Sequence, residues 1–366
     1  MKKFDKPILV TRPYLPELEE FKKGVEEVWS NQWLTNNGPM LQAFQKELSE
    51  YLGVPETNLA LFNNGTLALE LGYYAMGLSG GDVITTPFTF VATSHALKRI
   101  GATPVFADVD PETLCLDPAK VEKLITPRTK AIVPVHVYGN ACDVEGFERL
   151  SQKYGIPVIY DAAHAFGTKL HQHGAMSLFS FHPTKLFHSC EGGCLVFKDA
   201  ALQNKLFELR NFAIHSETEC VDVGSNAKMN ELQALMGHCC LKKIDELLAY
   251  RKSIYDAYAE IFNNPLYNCN SKLQLLPYSA NKAYVPVLFK DFETRERVYS
   301  ELKEKCNVFS RRYFYPLLTD FAPYVYAKGA CPVAEDVAKR VLTLPTYCGL
   351  DLDDVRDIAR NVMEMV

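Results

Sequence analysis

A lysine stands in a nearly uncharged, aromatic stretch, Phe179-Ser-Phe-His-Pro-Thr-Lys-Leu-Phe-His188. Burial would cost Lys185 its hydration unless it forms a Schiff base or meets a counter-charge. The plain alternative is a lysine that snorkels to the surface. An acid precedes it in Tyr160-Asp-Ala-Ala-His164. Asp161 follows an apolar run, and the small residues after it leave room for a flat ligand. The same pattern fits an Asp that merely starts a helix. A third segment, Phe62-Asn-Asn-Gly-Thr-Leu-Ala-Leu-Glu70, runs from an apolar strand through glycine into an apolar helix. Gly65 lets the backbone approach a ligand, and Thr66 offers a hydroxyl. Both stand at a helix N-terminus, where unpaired N–H groups and the dipole favour phosphate. A simple turn with an N-cap would read the same way.

Taken together, the three segments fit one group. Pyridoxal phosphate wants a helix N-terminus for its phosphate, a carboxylate for its pyridine nitrogen and a lysine for its aldehyde. Other chemistries lack their signatures: there is no GxGxxG after a strand, no GxxxxGK[ST], no HExxH and no GxSxG. Cys190 and Cys194 flank Glu191-Gly-Gly193, but no second Cys/His pair at ligand spacing accompanies them, so no metal is expected. The remaining cysteines, Cys115, Cys142, Cys220, Cys239, Cys240, Cys269, Cys306, Cys331 and Cys348, are scattered without a CxxC pair. An odd total of 11 points to reduced, mostly buried thiols.

The elements that must position these residues follow from the pattern of the chain. Its 366 residues suggest about two domains. From about 57 to 200, short β-branched runs alternate with helical patterns. Strands are expected at Asp82–Thr86, Gly101–Asp108, Lys130–Val137 and Gly155–Tyr160, and a helix at Asp143–Tyr154. The strands do not alternate in polarity, which indicates a mainly parallel sheet covered on both faces. Asp108, His136 and Asp161 stand near strand ends, at the edge where open α/β sheets bind ligands. A long helix is expected over Lys242–Phe262, then strands at Ala283–Phe289 and helices at Phe292–Lys305 and Asp351–Glu364. This divides the chain into a large unit, 1–245, with an N-terminal arm, and a small α+β unit, 246–366. A net charge of −5 argues against a nucleic-acid partner. No apolar run approaches the roughly 18 residues of a membrane span, and the first residues lack the apolar core of a signal peptide, so a cytoplasmic protein is expected.

The chain resembles the DegT/DnrJ/EryC1/StrS family of pyridoxal-phosphate nucleotide-sugar aminotransferases over nearly its whole length. The resemblance rests on Trp33-Leu-Thr-Asn-Asn-Gly-Pro39, Asn64-Gly-Thr66, Thr86-Pro-Phe-Thr-Phe-Val-Ala-Thr93, Pro134-Val-His-Val-Tyr-Gly139, Asp161-Ala-Ala-His164, Ser180-Phe-His-Pro-Thr-Lys185, Glu191-Gly-Gly193, Asn226-Ala-Lys-Met-Asn-Glu-Leu-Gln233 and Arg311-Arg-Tyr-Phe-Tyr-Pro316. It implies fold type I, the aspartate-aminotransferase-like α/β fold. It implies that Lys185 holds the cofactor as a Schiff base, that Asp161 meets the pyridine nitrogen and that His164 lies near the ring hydroxyl. Phe90 matches an aromatic that stacks on the ring. Gly65, Thr66 and Ser180 match phosphate ligands, and Asn226 an asparagine that reaches the phosphate from the neighbouring subunit of a homodimer. Pro183 departs from the small residue expected there.

The implied reaction takes the amino group of L-glutamate, releases 2-oxoglutarate, and passes the nitrogen, carried as pyridoxamine phosphate, to a keto sugar. The resemblance favours dTDP-4-keto-6-deoxy-D-glucose at C4, with C3 of a 3-keto sugar as the alternative. It sets the enzyme in the synthesis of bacterial surface polysaccharide. His188 and Arg311 are candidate sugar and diphosphate contacts, each with a structural reading beside it. Two other classes stay open: a sugar 3-dehydratase, which in this family carries histidine in place of the lysine, and a non-catalytic sensor of cofactor or sugar nucleotide.

Overall fold

The computed structural model describes residues 1–266, 273–276 and 281–366; Cys269 lies outside the described residues. Seven short strands form the main ladders of the larger part: β1 (Leu59–Phe62), β2 (Asp82–Thr85), β3 (Thr103–Phe106), β4 (Thr129–Val133), β5 (Ile159–Asp161), β6 (Met176–Ser180) and β7 (Gly193–Phe197), with β8 (Ile214–Ser216) and β9 (Glu219–Cys220) as a separate two-stranded hairpin. Hydrogen-bonded ladders give the orders β1-β7-β6-β5 and β3-β2-β4. Parallel bridges Ile132–Val158 and Val135–Asp161 join the two at β4 and β5. The ladders β2–β3, β2–β4 and β5–β6 are parallel, and β7 runs against both of its neighbours.

The strands are buried on both faces, as their unalternating apolar sequence predicts. Leu59 and Leu61 of β1 enter one hydrophobic cluster, and Ala60 and Phe62 enter another. In β7, Cys194 and Val196 go to the first and Leu195 and Phe197 to the second. Each such side chain of leucine or phenylalanine size contributes about 1.5–3 kcal/mol by leaving water. The helices of this part are α1 (Leu18–Asn31), α2 (Pro39–Leu52), α3 (Gly65–Ala75), α4 (Val91–Arg99), α5 (Pro118–Glu122), α6 (Val144–Tyr154), α7 (Leu202–Leu209) and α8 (Glu231–Leu241), and several of them cover these faces. The expected strand Lys130–Val137 is shorter: β4 ends at Val133, and Val137–Gly139 forms a 3-10 turn with Tyr138 at φ 56°. Pro134, with no N–H to donate, marks the end of regular pairing.

Helix α9 (Ile244–Phe262) leads into a three-stranded antiparallel sheet, β10 (Leu273–Leu275), β11 (Val285–Phe289) and β12 (Val341–Leu344), in the order β10-β11-β12. Helices α10 (Phe292–Cys306) and α12 (Leu352–Met365) pack with it in a separate hydrophobic cluster. Phe4 and Ile8 join that same cluster. The first residues lie along this unit: Lys2 N donates to Asn361 Oδ1 (2.7 Å), Phe4 N to the Cys306 carbonyl (3.0 Å) and Ile8 N to the Asn307 carbonyl (3.0 Å). The segment then passes Thr346, whose N–H donates to the Val10 carbonyl (3.0 Å), and reaches the loop that carries Lys185 through Thr11 Oγ1, which donates to the Thr184 carbonyl (3.5 Å). No helix among the described residues is long and apolar enough to cross a membrane.

Candidate active site

A cavity of about 530 Å³ opens at the carboxyl edge of the large sheet, a size suited to a small organic ligand. Gly65, Thr66, Phe90, Asp161, His164, Ser180, Lys185 and Arg311 all line it. Segments separated by up to 246 positions therefore converge on one space.

One wall is the N-terminus of α3. Asn64 caps the helix through its side chain, which accepts from Leu67 N (2.8 Å), and its carbonyl accepts from Ala68 N (3.2 Å). The N–H groups of Gly65 and Thr66 have no partner in the helix ladder and belong to the electropositive end. Ser180 ends β6 directly beside them. A Cβ on Gly65 would lie 3.1 Å from Ser180 Cβ and 3.2 Å from its Oγ. One on Gly193 would lie 2.7 Å from the Asn64 carbonyl oxygen. Two glycines thus let β7, the Ser180 strand end and the helix start close into a tight cradle.

Opposite stands Asp161, buried at the end of β5. Its Oδ2 accepts from Thr93 Oγ1 (2.7 Å) and its Oδ1 from Ala163 N (3.0 Å). Burial pushes the carboxyl up from its ordinary range, and the bonds from Thr93 and Ala163 and the charge of Lys185 oppose it. Its carboxylate is held by these two hydrogen bonds, and Lys185 acts on it only through its charge. A buried acid in this state favours a cationic N–H partner from the cavity.

His164 is also buried. Its Nδ1 accepts from Tyr138 N (3.1 Å), so a neutral ring carries its proton on Nε2. Burial and the nearby Lys185 hold its pKa well below the ordinary histidine value, so the ring is neutral. Phe314 lies parallel to it at 5.9 Å, and Tyr284 leans on it at 4.5 Å. Phe90 is the N-cap residue of α4 and is 52% exposed, because it faces the open cavity.

Lys185 lies in a loop between β6 and β7 and is half-buried. The loop is tied internally: Lys185 N donates to the His182 carbonyl (2.9 Å), and His182 Nδ1 meets Thr184 Oγ1 (2.8 Å). Lys185 Nζ donates to Tyr284 Oη at 3.4 Å. Arg311 is held by backbone pairing to Thr343 and lies against the Tyr313 ring at 5.3 Å. Its neighbour Arg312 is engaged by Glu296 through two hydrogen bonds (2.7 and 2.5 Å). Of the two arginines it is Arg312 that pairs with a carboxylate.

Two predicted residues are not in the cavity. His188 is buried with Nε2 on the Tyr14 carbonyl (2.5 Å), and its Nδ1 accepts from Cys190 N (3.3 Å). Both ring nitrogens are engaged by backbone, so the candidate sugar contact becomes a pin of the loop. Asn226 is exposed, outside the cavity of its own chain, and its carbonyl accepts from Asn63 Nδ2 (3.3 Å). The strand-end residues also divide. Asp108 accepts from Val333 N and Ala334 N at the start of α11 (Pro332–Arg340), and His136 is a core residue stacked on Tyr160 at 4.7 Å. Only Asp161 of the three faces the ligand space. Among the described residues, no three His, Cys, Asp or Glu side chains are grouped to hold a metal.

Sequence reasoning missed Thr93, Tyr284 and Tyr313 as site residues. Thr93 and Tyr313 lie inside segments that carried the family resemblance, but no local pattern marked their contacts. Tyr284 has no sequence signal at all, being 99 positions from Lys185.

The arrangement fits a planar group with a phosphate at one end, a protonated ring nitrogen at the other and a carbonyl facing an amine. The DegT/DnrJ/EryC1/StrS aminotransferase pattern matches residues 17–363. The chain is 41% identical to a dTDP-4-amino-4,6-dideoxy-D-glucose transaminase of Shigella dysenteriae, covering 99% of this chain and 100% of that one. It is 38% identical to the Escherichia coli enzyme of the same name, covering 98% and 99%. Its fold matches that of DesI, solved in the presence of its TDP-sugar product, with a TM-score of 0.90, 33% identity and coverage of 100% and 94%.

Proposed function

Because the chain belongs to the DegT/DnrJ/EryC1/StrS aminotransferase family, we propose that it moves the amino group of L-glutamate to C4 of dTDP-4-keto-6-deoxy-D-glucose, giving dTDP-4-amino-4,6-dideoxy-D-glucose. The chain is a pyridoxal-phosphate-dependent transaminase. The observation that carries the sugar reading is full-length similarity to two transaminases of that product name, together with a cavity that combines Lys185, Asp161 and the α3 cradle.

The residues fit the cofactor. The Gly65–Ser180 cradle leaves space where a Cβ would intrude, and buried Asp161 lacks the cation that a protonated ring nitrogen supplies. When bound, pyridoxal phosphate supplies an aldehyde that condenses with amines and a ring that takes up the electrons released at the amino carbon. The N–H groups of Gly65 and Thr66, with the hydroxyls of Thr66 and Ser180, hold the phosphate. Asp161 keeps the ring nitrogen protonated, and Thr93 keeps Asp161 oriented. His164, neutral with its proton on Nε2, offers a donor rather than a charge. Phe90 covers the ring face. The amine of Lys185, once free, would take a proton from the amino carbon and return it to the carbon on the other side of the nitrogen, general acid–base work worth roughly 10²–10⁴ in rate. Arg311, without a carboxylate partner, receives the diphosphate.

We also propose a homodimer with a shared site. Trp29, Trp33, Leu34, Phe207 and Phe212 are exposed in the single chain, as hydrophobics at a subunit interface would be. Asn226, exposed and outside its own cavity, is then the partner's phosphate ligand. The division at about residue 245 assigns cofactor binding to the large unit and cover of the substrate side to the small one. A cytoplasmic role in O-antigen or other lipopolysaccharide sugar synthesis fits a nucleotide-linked substrate.

The test is an absorbance spectrum of protein with pyridoxal phosphate, before and after L-glutamate, for wild type and Lys185→Ala. The wild type is expected to show a lysine-linked band that glutamate converts, and the variant no such band. With dTDP-4-keto-6-deoxy-D-glucose added, NMR is expected to place the new amine at C4. A C3 amine from a 3-keto sugar, with no turnover of the 4-keto sugar, would replace the substrate assignment.

A further inference from the structure

Lys185 must be reactive at one atom while its four-carbon stem is free to swing. Its Nζ has one hydrogen-bond partner among the described residues, the Tyr284 hydroxyl at 3.4 Å. That hydroxyl is held in place. The Tyr284 ring leans on His164 at 4.5 Å, on Tyr138 at 5.7 Å and on Tyr313 at 5.9 Å. Tyr284 directly precedes β11, so it comes from the small unit, whereas Lys185 belongs to the large one. Behind it, a cavity of about 20 Å³ is shared by Tyr284, Thr184, Arg251 and Arg311. Arg251 is buried; it donates to the Thr346 carbonyl, and its Nε has no partner among the described residues.

We propose that Tyr284 is a positioning residue that holds the amine of Lys185 at the cavity wall whenever that amine is not bonded to the cofactor. This rests on the transaminase reading above. A phenol oxygen accepts one N–H of the amine and leaves the rest of the nitrogen to face the cavity. Burial holds the phenol above its ordinary pKa, and of the charged groups acting on it Arg251 and Arg311 lower it and Asp161 raises it. The hydroxyl therefore stays protonated at neutral pH and acts as a fixed partner rather than as a base. At 3.4 Å the contact is long, as catalytic hydrogen bonds often are in a site without its ligand. Fixing the amine removes rotamer freedom that would otherwise be lost at each turnover.

Tyr284→Phe removes only the hydroxyl and keeps the ring that packs on His164. Cofactor-free protein is mixed with pyridoxal phosphate, and formation of the lysine-linked band is followed at 25 °C. The variant is expected to form the band about tenfold more slowly, the loss of one hydrogen bond. Noncovalent affinity is measured separately in Lys185→Ala and in Lys185→Ala/Tyr284→Phe. The two are expected to be equal, since the hydroxyl acts through the amine. With L-glutamate, the Tyr284→Phe half-reaction is expected to slow at saturation with an unchanged KM. A wild-type band rate in Tyr284→Phe would overturn the proposal. So would a weaker affinity in Lys185→Ala/Tyr284→Phe than in Lys185→Ala, which would make Tyr284 a plain wall residue. Absence of any band in wild type would instead defeat the transaminase reading itself.

Discussion

Thr93 Oγ1 donates to Asp161 Oδ2 at 2.7 Å, joining the first turn of α4 to the end of β5. The bond holds one oxygen of a buried acid, and Ala163 N holds the other. Thr93 is the largest of the influences that oppose the effect of burial on this carboxyl. Thr93→Val should leave the Oδ2 lone pairs unsatisfied and move the carboxyl further up. Affinity for pyridoxal phosphate is expected to fall by about tenfold at pH 7, since one hydrogen bond to a charged group is worth about 1.5–3 kcal/mol before relaxation. The loss should grow as pH falls, because protonated Asp161 no longer attracts the ring nitrogen. Titration of cofactor-free protein at pH 6 and 8 checks both; an unchanged constant at each pH would sink the idea.

Asp161 also sets a stability cost. Its folded pKa lies above the unfolded one, with burial as the first cause. Between those values the folded state holds a proton that the unfolded state has released, so this group's contribution falls as pH rises through the window. At pH 7 the charged form is buried at a cost. Asp161→Asn should therefore raise the melting temperature of cofactor-free protein at pH 7, with the gain shrinking toward pH 4. The same variant should lose transamination with L-glutamate. A lower melting temperature at pH 7 would show that the carboxylate's hydrogen bonds outweigh its desolvation.

The buried histidines act in the opposite direction. Burial lowers His136, to about 3, and also His164, His171 and His188. Unfolded histidines titrate near 6.5, so below that pH the unfolded state binds more protons than the folded one. Stability is therefore complete above about pH 6.5 and drains as pH falls toward 3. Each histidine fully neutral in the fold adds a slope of about 1.4 kcal/mol per pH unit. Urea unfolding at pH 7.0 and 5.5 reads it directly. A flat profile would mean that these rings accept protons without unfolding.

Gly65→Ala separates binding from folding. Alanine is favoured over glycine in a helix by about 1 kcal/mol, but its Cβ would press on Ser180 at 3.1 Å. The variant should melt at or above the wild-type temperature without cofactor, yet bind pyridoxal phosphate about tenfold more weakly, a change of roughly 1.4 kcal/mol. Equal binding would mean that Ser180 yields and the cradle is looser than its distances suggest.

Much of the cavity was legible because its parts announce themselves locally. Asn64-Gly65-Thr66 reads as strand, glycine and helix start within a few residues, and Lys185 stands out by the lack of charge around it. The sheet was legible from strands apolar on both faces, now seen feeding two clusters. The same signals misled where a tertiary partner decides. Asp108 and Asp161 look alike at strand ends, yet one caps α11 and the other faces the cavity. His188 is three residues past Lys185, but the loop turns it onto the Tyr14 carbonyl. Thr93 and Tyr284 act only through contacts made 68 and 99 positions away. No local window contains such a pair.

The path of the first residues bears on how the molecule is assembled. Lys2, Phe4 and Ile8 bond to Asn361, Cys306 and Asn307, so on the ribosome residues 2–8 wait for residues 306–361 before they can dock. Until then Phe4 and Ile8 stay in water, and Thr11, which reaches the Thr184 carbonyl, has no fixed approach to the lysine loop. Docking of this segment beside the lysine loop is then completed only after residues 306–361 have been made.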